Sequence, residues 1–599
     1  MDKNKLDKNK LENNKNKFIG NLNGYMDGRL MGDIIFPIIL VLVGMCKVGR
    51  GFDISDTGYN YGNYVNLTGL DNMWYCSTFL ANIVGRLFTF LPYGHTLIGL
   101  NIYTGLIKCA IVLASYFFFR KKVGLPGGVV FFGELMAVSL CWCPTALIYN
   151  YLSYLLFFLG AMFLYRGLTT EKNRFLIIAG VFLGVNIFVR FPNICEMGLI
   201  AGLWYWCFIK KCKFIEYLKK TGWCVAGYTL GAGVMVAIIE VTKGFDNYIL
   251  AIKDLFSMTD EATQYSGGGM INGILMAYKG TIYFQKYILI VFVMAFIIWL
   301  VAKKMGGQNI ILAAYAVITA LMIALGYFLY KVKLFDFNYH DYNSIYGLGA
   351  CMMGLAILIL MVPIFIKKIP DNIRLLCALS IIIIGITPLG TNNALYANYN
   401  NLFIVLPVML YIVCIIPDWK GMMGVKWALA LYICLFTYQC LNFGFTFTFR
   451  DGFEMSQDTY VSIPSLVGVA TQENKAKELE ELGQVIVDEK MILTYGDVPG
   501  AAFYFDKKPA FSSSWPSLPS FSVEKFTREI EGLQNSIAEG KKEPYIAVDP
   551  GVYERLSMYE EDDSNELAYK ELLLYNFIKD NDYEVINPDS NLMVVYDVR

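Results

Sequence analysis

Long apolar runs follow one another from residue 31 to residue 447, separated by short polar connections. A run of about 20 apolar residues is long enough to cross the hydrocarbon core of a membrane as a helix. The predicted fold class is therefore a polytopic α-helical membrane protein. The pattern predicts thirteen membrane-spanning helices, some of them short, at residues 31–48, 97–119, 126–143, 147–165, 175–191, 194–209, 222–242, 287–302, 309–330, 348–366, 375–388, 402–416 and 427–447.

Basic residues in the connections orient this bundle of helices. Cytoplasmic loops of membrane proteins are enriched in Lys and Arg. The N-terminal tail and every second connection after it carry 25 basic residues in total, whereas the alternate connections carry ten. The N-terminus is thus predicted to lie in the cytoplasm, and the odd number of helices places the C-terminus outside. The connections 49–96, 243–286 and 331–347 then become outer loops.

Composition agrees with a membrane protein and excludes one class of partner. The chain is 56% apolar and only 17% charged, whereas a soluble domain usually carries about 25% charge. The formal net charge of zero conceals a division, because residues 450–599 hold 14 basic and 29 acidic residues, against 36 and 21 in the residues before them. A nucleic-acid-binding protein concentrates basic charge on a soluble domain. The acidic C-terminal part therefore argues against nucleic acid as a partner.

Three regions are predicted along the chain. Residues 1–30 form a polar cytoplasmic tail, residues 31–448 a transmembrane domain, and residues 449–599 an extracytoplasmic domain. Strand patterns that alternate with helical patterns predict a small α/β fold for the last region. It contains no nucleophile elbow or P-loop, which favours an accessory role. The predicted strands are Met491–Tyr495, Tyr545–Val548 and Leu592–Tyr596, and the predicted helices are Lys475–Leu482, Val523–Glu539 and Glu566–Asn581.

Two carboxylates lie close together just after the first predicted helix. Asp53 and Asp56 are followed by Tyr59, Asn60 and Tyr61, which are amphipathic types that suit a membrane interface or a sugar. One interpretation is structural, because Asp and Ser often cap the N-terminus of a helix, and either acid could cap a helix that begins nearby. The other interpretation is a functional site. The sequence of the loop alone leaves both open.

The position of this motif resembles the GT-C superfamily of polytopic glycosyltransferases, such as protein O-mannosyltransferases and the aminoarabinose transferase of lipid A. Members use polyprenyl-phosphate sugar donors and carry an Asp-Glu or Asp-x-Asp type of motif in the outer loop after the first helix. The stretch Ser55-Asp56-Thr57-Gly58-Tyr59 is similar to the usual Asp-Glu followed by an aromatic residue. It has Thr57 where Glu is expected, and Asp53 could supply the second acid. The segments 150–154 and 189–193 also resemble parts of such enzymes.

The resemblance implies a transferase that moves a sugar from a polyprenyl-phosphate donor to a glycan, lipid or protein acceptor on the outer face of the cell membrane. Asp56 is then the candidate base, with Asp53 second, because an inverting transfer needs a carboxylate that accepts the proton of the attacking hydroxyl. The two acids could instead hold a divalent metal, Mg²⁺ or Mn²⁺. Cations would stabilise the leaving phosphate. Arg190 is the first candidate for binding the phosphate. The weaker candidates are Lys243, Lys279, Lys286, Lys331, Lys333 and His340. Each of these lysines also fits an ordinary anchor at the membrane interface.

A rival interpretation is a membrane transporter or lipid flippase with an outer accessory domain. Glu134 falls in the middle of the predicted helix 126–143. A charge inside the membrane costs about 2.5–3.5 kcal/mol on insertion scales, which marks such a residue as a candidate for a functional site. Transporters often contain inverted repeats, and the sequence has no convincing one. A scaffold whose outer domain binds a cell-wall polymer is the third interpretation.

Overall fold

The computed structural model describes residues 26–261, 267–334, 342–391, 393–415, 422–451, 457–559 and 567–598, and its first three quarters are helical. Two π-helical turns, Met31–Ile35 and Phe119–Val123, adjoin the helices α1 and α5. The α-helices of this part are α1 (Phe36–Met45), α2 (Asp56–Val65), α3 (Asn72–Ser77), α4 (Phe79–Thr89), α5 (Leu97–Phe118), α6 (Gly127–Ser139), α7 (Ile148–Thr169), α8 (Asn173–Asn186), α9 (Ile200–Ile209), α10 (Phe214–Thr242), α11 (Phe245–Glu261), α12 (Gly267–Met305), α13 (Gln308–Lys331), α14 (Tyr346–Phe365), α15 (Asp371–Ile386), α16 (Tyr396–Tyr399), α17 (Val405–Ile415) and α18 (Met423–Thr446).

Seven helices in the described part of the chain are long and apolar enough to cross a membrane, and the protein is a mostly helical, multi-pass membrane protein. These are α5, α7, α10, the second half of α12, α13, α14 and α18. Each of the thirteen predicted runs coincides with a helix, and the short runs correspond to short helices such as α8, α15 and α17. How many of the short helices cross the membrane stays a prediction, because length and composition select only the seven.

Residues 49–96, which the sequence predicts to be the first outer loop and which keep that name here, are largely helical. They contain α2, α3 and α4, with a 3₁₀-helix at Leu67–Gly69 between the first two. The side chain of Asp71 accepts a hydrogen bond from the backbone N–H of Met73 (3.1 Å) and so caps α3. The apolar helix α4 was not among the predicted runs, because its eleven residues are too few for a membrane span.

The C-terminal segment, residues 449–599, contains a mixed sheet with helices beside it. The strand order is β3-β4-β6-β5, with β3 and β4 parallel and the other pairs antiparallel. The three predicted strands coincide with β3, β4 and β6, and the three predicted helices with α19, α21 and α23. The segment comprises β1 (Thr459–Tyr460), β2 (Ala470–Thr471), α19 (Glu473–Val485), β3 (Ile492–Tyr495), α20 (Ala501–Tyr504), α21 (Val523–Ala538), β4 (Tyr545–Val548), α22 (Pro550–Ser557), α23 (Tyr569–Asp580), β5 (Glu584–Val585) and β6 (Val594–Asp597).

Backbone contacts join the C-terminal segment to the first outer loop. The N–H of Gly51 donates to the carbonyl oxygen of Ala470 (3.0 Å), and the N–H of Ala470 donates to that of Gly49 (2.9 Å). A second contact is made by Gly500, whose N–H donates to the carbonyl oxygen of Ile54 (2.7 Å). Two parts of the chain that are more than 400 residues apart in sequence therefore form one structural unit.

Helix α2 and the start of α20 pack closely in this unit. A Cβ atom placed on Gly58 would lie 2.5 Å from the Cα atom of Gly500 and 2.8 Å from the ring of Tyr504. Real Cβ atoms do not come so near a backbone atom, so only glycine permits this packing. The Tyr504 hydroxyl completes the contact by donating to the carbonyl oxygen of Asp53 (2.6 Å).

Substituting Gly58→Ala should therefore separate α2 from the C-terminal segment. Overpacking of this kind costs about 1–3 kcal/mol, and we expect a lower melting temperature of the purified protein, followed by tryptophan fluorescence. Gly62→Ala is the matched control on the same helix, because its Cβ atom would lie at an ordinary 3.6 Å from Phe503 and alanine favours a helix by about 1 kcal/mol over glycine. Equal melting temperatures for the two variants would contradict the proposed packing.

Candidate active site

The carboxylate of Asp53 organises the N-terminus of α2. Its Oδ1 accepts hydrogen bonds from the N–H (3.1 Å) and the hydroxyl (2.6 Å) of Ser55, and its Oδ2 accepts one from the N–H of Thr57 (2.7 Å). The first N–H groups of a helix have no partner within the helix, and a side-chain oxygen usually supplies one. The structural interpretation of the acidic pair is thus correct for Asp53, whose oxygens are both occupied.

Asp56, the first residue of α2, has a different environment. Its side chain is 27% exposed, and its Oδ2 lies 3.4 Å from a guanidinium nitrogen of Arg450. The same guanidinium donates a hydrogen bond to the Ser55 hydroxyl. Burial raises the pKa of the Asp56 carboxyl to about 6, the charge of Arg450 opposes this rise, and the nearby carboxylates of Asp53 and Asp497 add to it. Asp56 is therefore an accessible acid that titrates near neutral pH.

A cavity opens at the start of α2, and we call it the cationic cavity. Asp56 itself is not among the described residues that line it. Its empty space is about 690 Å³, part of which is continuous with solvent. Asp53 and Thr57, which flank Asp56, line it together with residues of α1, α5 and the chain after α18. Three basic residues also line it, namely Lys47, Arg50 and Lys108. Several cations around one cavity favour an anionic ligand such as a phosphate.

The three cations lie at different depths along the helices. Arg50 is exposed and belongs to the outer loop, whereas Lys108 lies in the middle of α5. Asn101 lines the cavity one to two helical turns above Lys108, so the cavity extends about 10 Å along the helix. The ammonium of Lys47 donates to the carbonyl oxygens of Phe443 (3.3 Å) and Phe447 at the end of α18. These carbonyls hold Lys47 at the cavity wall.

Arg190, the first candidate for binding phosphate, lies behind this wall. Its Nε donates to the Asn193 side chain (3.0 Å), and a terminal nitrogen donates to Asn150 Oδ1 at 3.4 Å. Asn150 in turn donates to the sulfur of Cys143 (3.1 Å), which lines the cationic cavity. Arg190 itself lines a separate cavity of about 240 Å³. It is thus one side chain removed from the cavity, and its role as a phosphate ligand stays a prediction.

The weaker cationic candidates do not line the cationic cavity where they are described. Lys279 is exposed on α12, and Lys333 is exposed just after α13. His340 lies outside the described residues. The other lysines lie over tyrosine rings, an arrangement that suits an interfacial anchor. These pairs are Lys243 over Tyr75 (4.2 Å), Lys286 over Tyr287 (5.0 Å) and Lys331 over Tyr327 (5.5 Å).

Sequence reasoning missed Lys108 and Arg450. Lys108 was counted with neither set of connections because it lies inside the predicted helix 97–119, although an intramembrane lysine is itself a signal of function. Lys47 and Arg50 were treated only as charges that report topology. Arg450 carried no signal at all, because its proximity to Asp56 depends on a tertiary contact between distant parts of the chain.

The two acids also stay candidates for a metal that they would hold jointly. The oxygens of Asp53 accept hydrogen bonds from Ser55 and Thr57, and Asp56 forms an ion pair with Arg450. A carboxylate has about four lone-pair sites, and Asp53 Oδ2 accepts only one hydrogen bond, so both acids keep a lone pair for an ion. Within the described residues, no group of three or more His, Cys, Asp or Glu is placed to hold a metal.

We predict from the pKa of Asp56 that any reaction in which this carboxylate acts as a base is active above about pH 6 and is lost as the pH falls through that value. Replacing Arg450→Gln removes the charge that lowers the pKa of Asp56. The acidic limb of the pH–rate profile should then move to higher pH. Arg450→Lys keeps the charge and is the control, with a limb close to that of the wild type. A limb that stays in place in the Gln variant would show that Arg450 does not act on the base.

Comparison with known proteins gives one likeness. No protein-family model matches the sequence, and no curated protein matches it. The chain is similar to the crystal structure of ArnT from Cupriavidus metallidurans bound to undecaprenyl phosphate, with 12% identity over 95% of this chain and 98% of that one and a TM-score of 0.41. For ArnT in the apo state the values are 11%, 94%, 97% and 0.40.

Proposed function

We propose that this protein is an integral-membrane glycosyltransferase that moves a sugar from a polyprenyl-phosphate donor to an acceptor on the outer face of the membrane. One observation carries the proposal: the helix that begins with Asp56, an acid with a pKa of about 6, contributes Thr57 to the wall of a cavity that Lys47, Arg50 and Lys108 also line. A base beside an anion-binding cavity is the combination that transfer from a phosphate leaving group requires.

The reaction follows from these roles. Asp56 accepts the proton of an acceptor hydroxyl, and the hydroxyl oxygen attacks the anomeric carbon of the donor sugar. The bond between that carbon and the phosphate oxygen breaks, and the electron pair leaves with the phosphate. Lys47, Arg50 and Lys108 stabilise the polyprenyl phosphate anion. Attack from the side opposite the leaving group inverts the anomeric centre.

The shape of the cationic cavity supports a lipid-linked donor. The cavity reaches Lys108 in the middle of α5, a helix long enough to cross a membrane. The cavity also reaches Asn101 near the start of α5, and a phosphate at that end lies close to the membrane surface, where a head group is placed while its polyprenyl chain stays among membrane lipids. The bias of 25 basic residues against ten supports an outward position for the loop 49–96 and the C-terminal segment. The acceptor class, whether glycan, lipid or protein, is open in the proposal.

Asp56→Asn should lower the rate of sugar transfer by about 10²–10⁴-fold, the usual loss on removal of a general base. The amide keeps the size of the side chain, so folding and insertion should be unchanged. We expect the variant to retain binding of undecaprenyl phosphate, measured by native mass spectrometry, because the three cations are intact. Near-normal turnover in Asp56→Asn would remove the basis of the proposal.

Asp53→Asn is the comparison, and we expect a smaller loss because Asp53 holds α2 rather than the reacting hydroxyl. The alternative explanation for the roles of Asp53 and Asp56 is that they hold a divalent metal together. In that account both variants lose activity and excess Mn²⁺ or Mg²⁺ partly restores it. A loss confined to Asp56→Asn, with no response to added metal, supports the base.

The transporter interpretation rests on Glu134, which is fully buried in α6. The Ser115 hydroxyl lies against a carboxyl oxygen of Glu134 and against the carbonyl oxygen of Phe403 (2.9 Å). A hydroxyl has one proton, so both contacts are hydrogen bonds when the Glu134 carboxyl carries a proton of its own. A neutral acid that bridges α5, α6 and the chain before α17 has a structural role.

Glu134→Gln should accordingly leave the rate of sugar transfer within about twofold of the wild type. The amide can donate to Ser115 as the protonated acid does, and Glu134 is not among the described residues that line the cationic cavity. The measurement is transfer by the purified variant in lipid nanodiscs. The transporter would be favoured if neither the wild type nor Glu134→Gln transferred a sugar and if the substitution abolished transport of a substrate.

A further inference from the structure

A second cavity lies between the first outer loop and the C-terminal segment, and we call it the seam cavity. Its empty space is about 990 Å³, part of it continuous with solvent. Val65 and Asn66 at the end of α2, His95 before α5, and Phe503 and Asp506 of the C-terminal segment are among the residues that line it. It therefore draws its walls from four separate stretches of chain, within residues 62–66, 95–96, 464–465 and 502–509.

The polar side chains in this cavity are available to a ligand. In the described part of the chain, the side chains of Asn66, His95 and Asp506 form neither hydrogen bonds nor ion pairs. Lys507 differs, because its ammonium donates to the carbonyl oxygens of Asp488 (2.7 Å) and Val487 (3.4 Å). A carboxylate, an amide and an imidazole that converge without partners can both donate and accept hydrogen bonds.

The apolar part of the wall defines the ligand further. Val65, Pro464 and Phe503 also line the cavity and are apolar. The Asp506 carboxylate disfavours a phosphate, and the ammonium of Lys507 is directed to the carbonyl oxygens of Val487 and Asp488. Hydroxyl groups fit these donors and acceptors, and the C–H faces of a sugar ring fit the apolar wall.

We propose that the seam cavity binds a saccharide through Asn66, His95 and Asp506. The site is distinct from the candidate base, since Asp56 begins α2 and Val65 ends it, about 13 Å further along the helix. If the proposed transfer function is correct, on which this role rests, the cavity holds a part of a glycan acceptor that is remote from the reacting hydroxyl.

One layer of side chains connects the seam cavity to the cationic cavity. The ring of Phe503 packs edge-on against Tyr61 of α2, with centroids 5.8 Å apart. The Tyr61 hydroxyl donates to Asn101 Oδ1 (2.7 Å), and Asn101 lines the cationic cavity. A saccharide in the seam cavity therefore contacts the helix that carries Asp56 through buried side chains.

The test measures saccharide binding by the full-length protein in lipid nanodiscs with isothermal titration calorimetry. The probes are maltotriose, mannotriose and chitotriose, and we expect at least one to bind with a millimolar Kd. His95→Ala and Asp506→Asn should each weaken that binding at least fivefold. Asp582→Asn is the matched control, because Asp582 is also an exposed aspartate with a positive φ (53°, against 50° for Asp506), and it does not line the cavity.

The outcomes separate this inference from the proposed function. Three results would overturn the saccharide site. The first is that none of the three probes binds, and the second is that the His95 and Asp506 variants bind the saccharide as tightly as the wild type. The third is that inorganic phosphate or Mg²⁺ binds in place of a saccharide. Asp56→Asn should bind the saccharide as the wild type does while it fails in transfer. Transfer activity retained in Asp56→Asn would overturn the proposed function and leave the saccharide site standing.

Discussion

The candidate site depends on the hydrogen bonds that the Asp53 carboxylate accepts at the start of α2. Three donors from Ser55 and Thr57 occupy the carboxylate and fix where the helix begins. Asp56 is left as the first helical residue, with its carboxylate free to face Arg450 and the solvent. Asp53 positions the helix, whereas Asp56 titrates. Two carboxylates that lie this close together therefore have different roles.

The C-terminal segment contributes to the site rather than only adjoining it. Arg450 forms the ion pair with Asp56, and Gly500 accepts the close approach of Gly58. Burial is the main cause of the raised pKa of Asp56, the charge of Arg450 opposes it, and Asp497 of the same segment adds to it. The chemical properties of Asp56 therefore depend on two charged residues of the C-terminal segment. A segment that appears accessory in the sequence is a structural part of the candidate site.

The sequence predicted the helices well and the site only in part, for physical reasons. An apolar run is a local feature of the sequence, and each of the thirteen runs coincides with a helix. The short strands β3, β4 and β6 also coincide with the three strands that the sequence predicts between helices. The prominence of Asp53 and Asp56 is also local. The partners of those acids are not, because Arg450 is brought in by the tertiary fold.

The cationic residues also show why the sequence predicted the site only in part. Lys279 and Lys333 were chosen by their place on the outer side, yet an exposed lysine on a loop or helix end gains most from solvent and from the membrane surface. Lys108 is costly where it lies, in the middle of α5, and that cost is offset only if an anion or a wet cavity meets it. The cationic cavity supplies such an environment. An energetic argument about a single buried charge is thus a better guide to the site than membership of an outer loop. Glu134 differs from Lys108, because one of its oxygens contacts the Ser115 hydroxyl and it does not line the cationic cavity. Its other oxygen, Oε2, is buried and has no hydrogen-bond partner among the described residues.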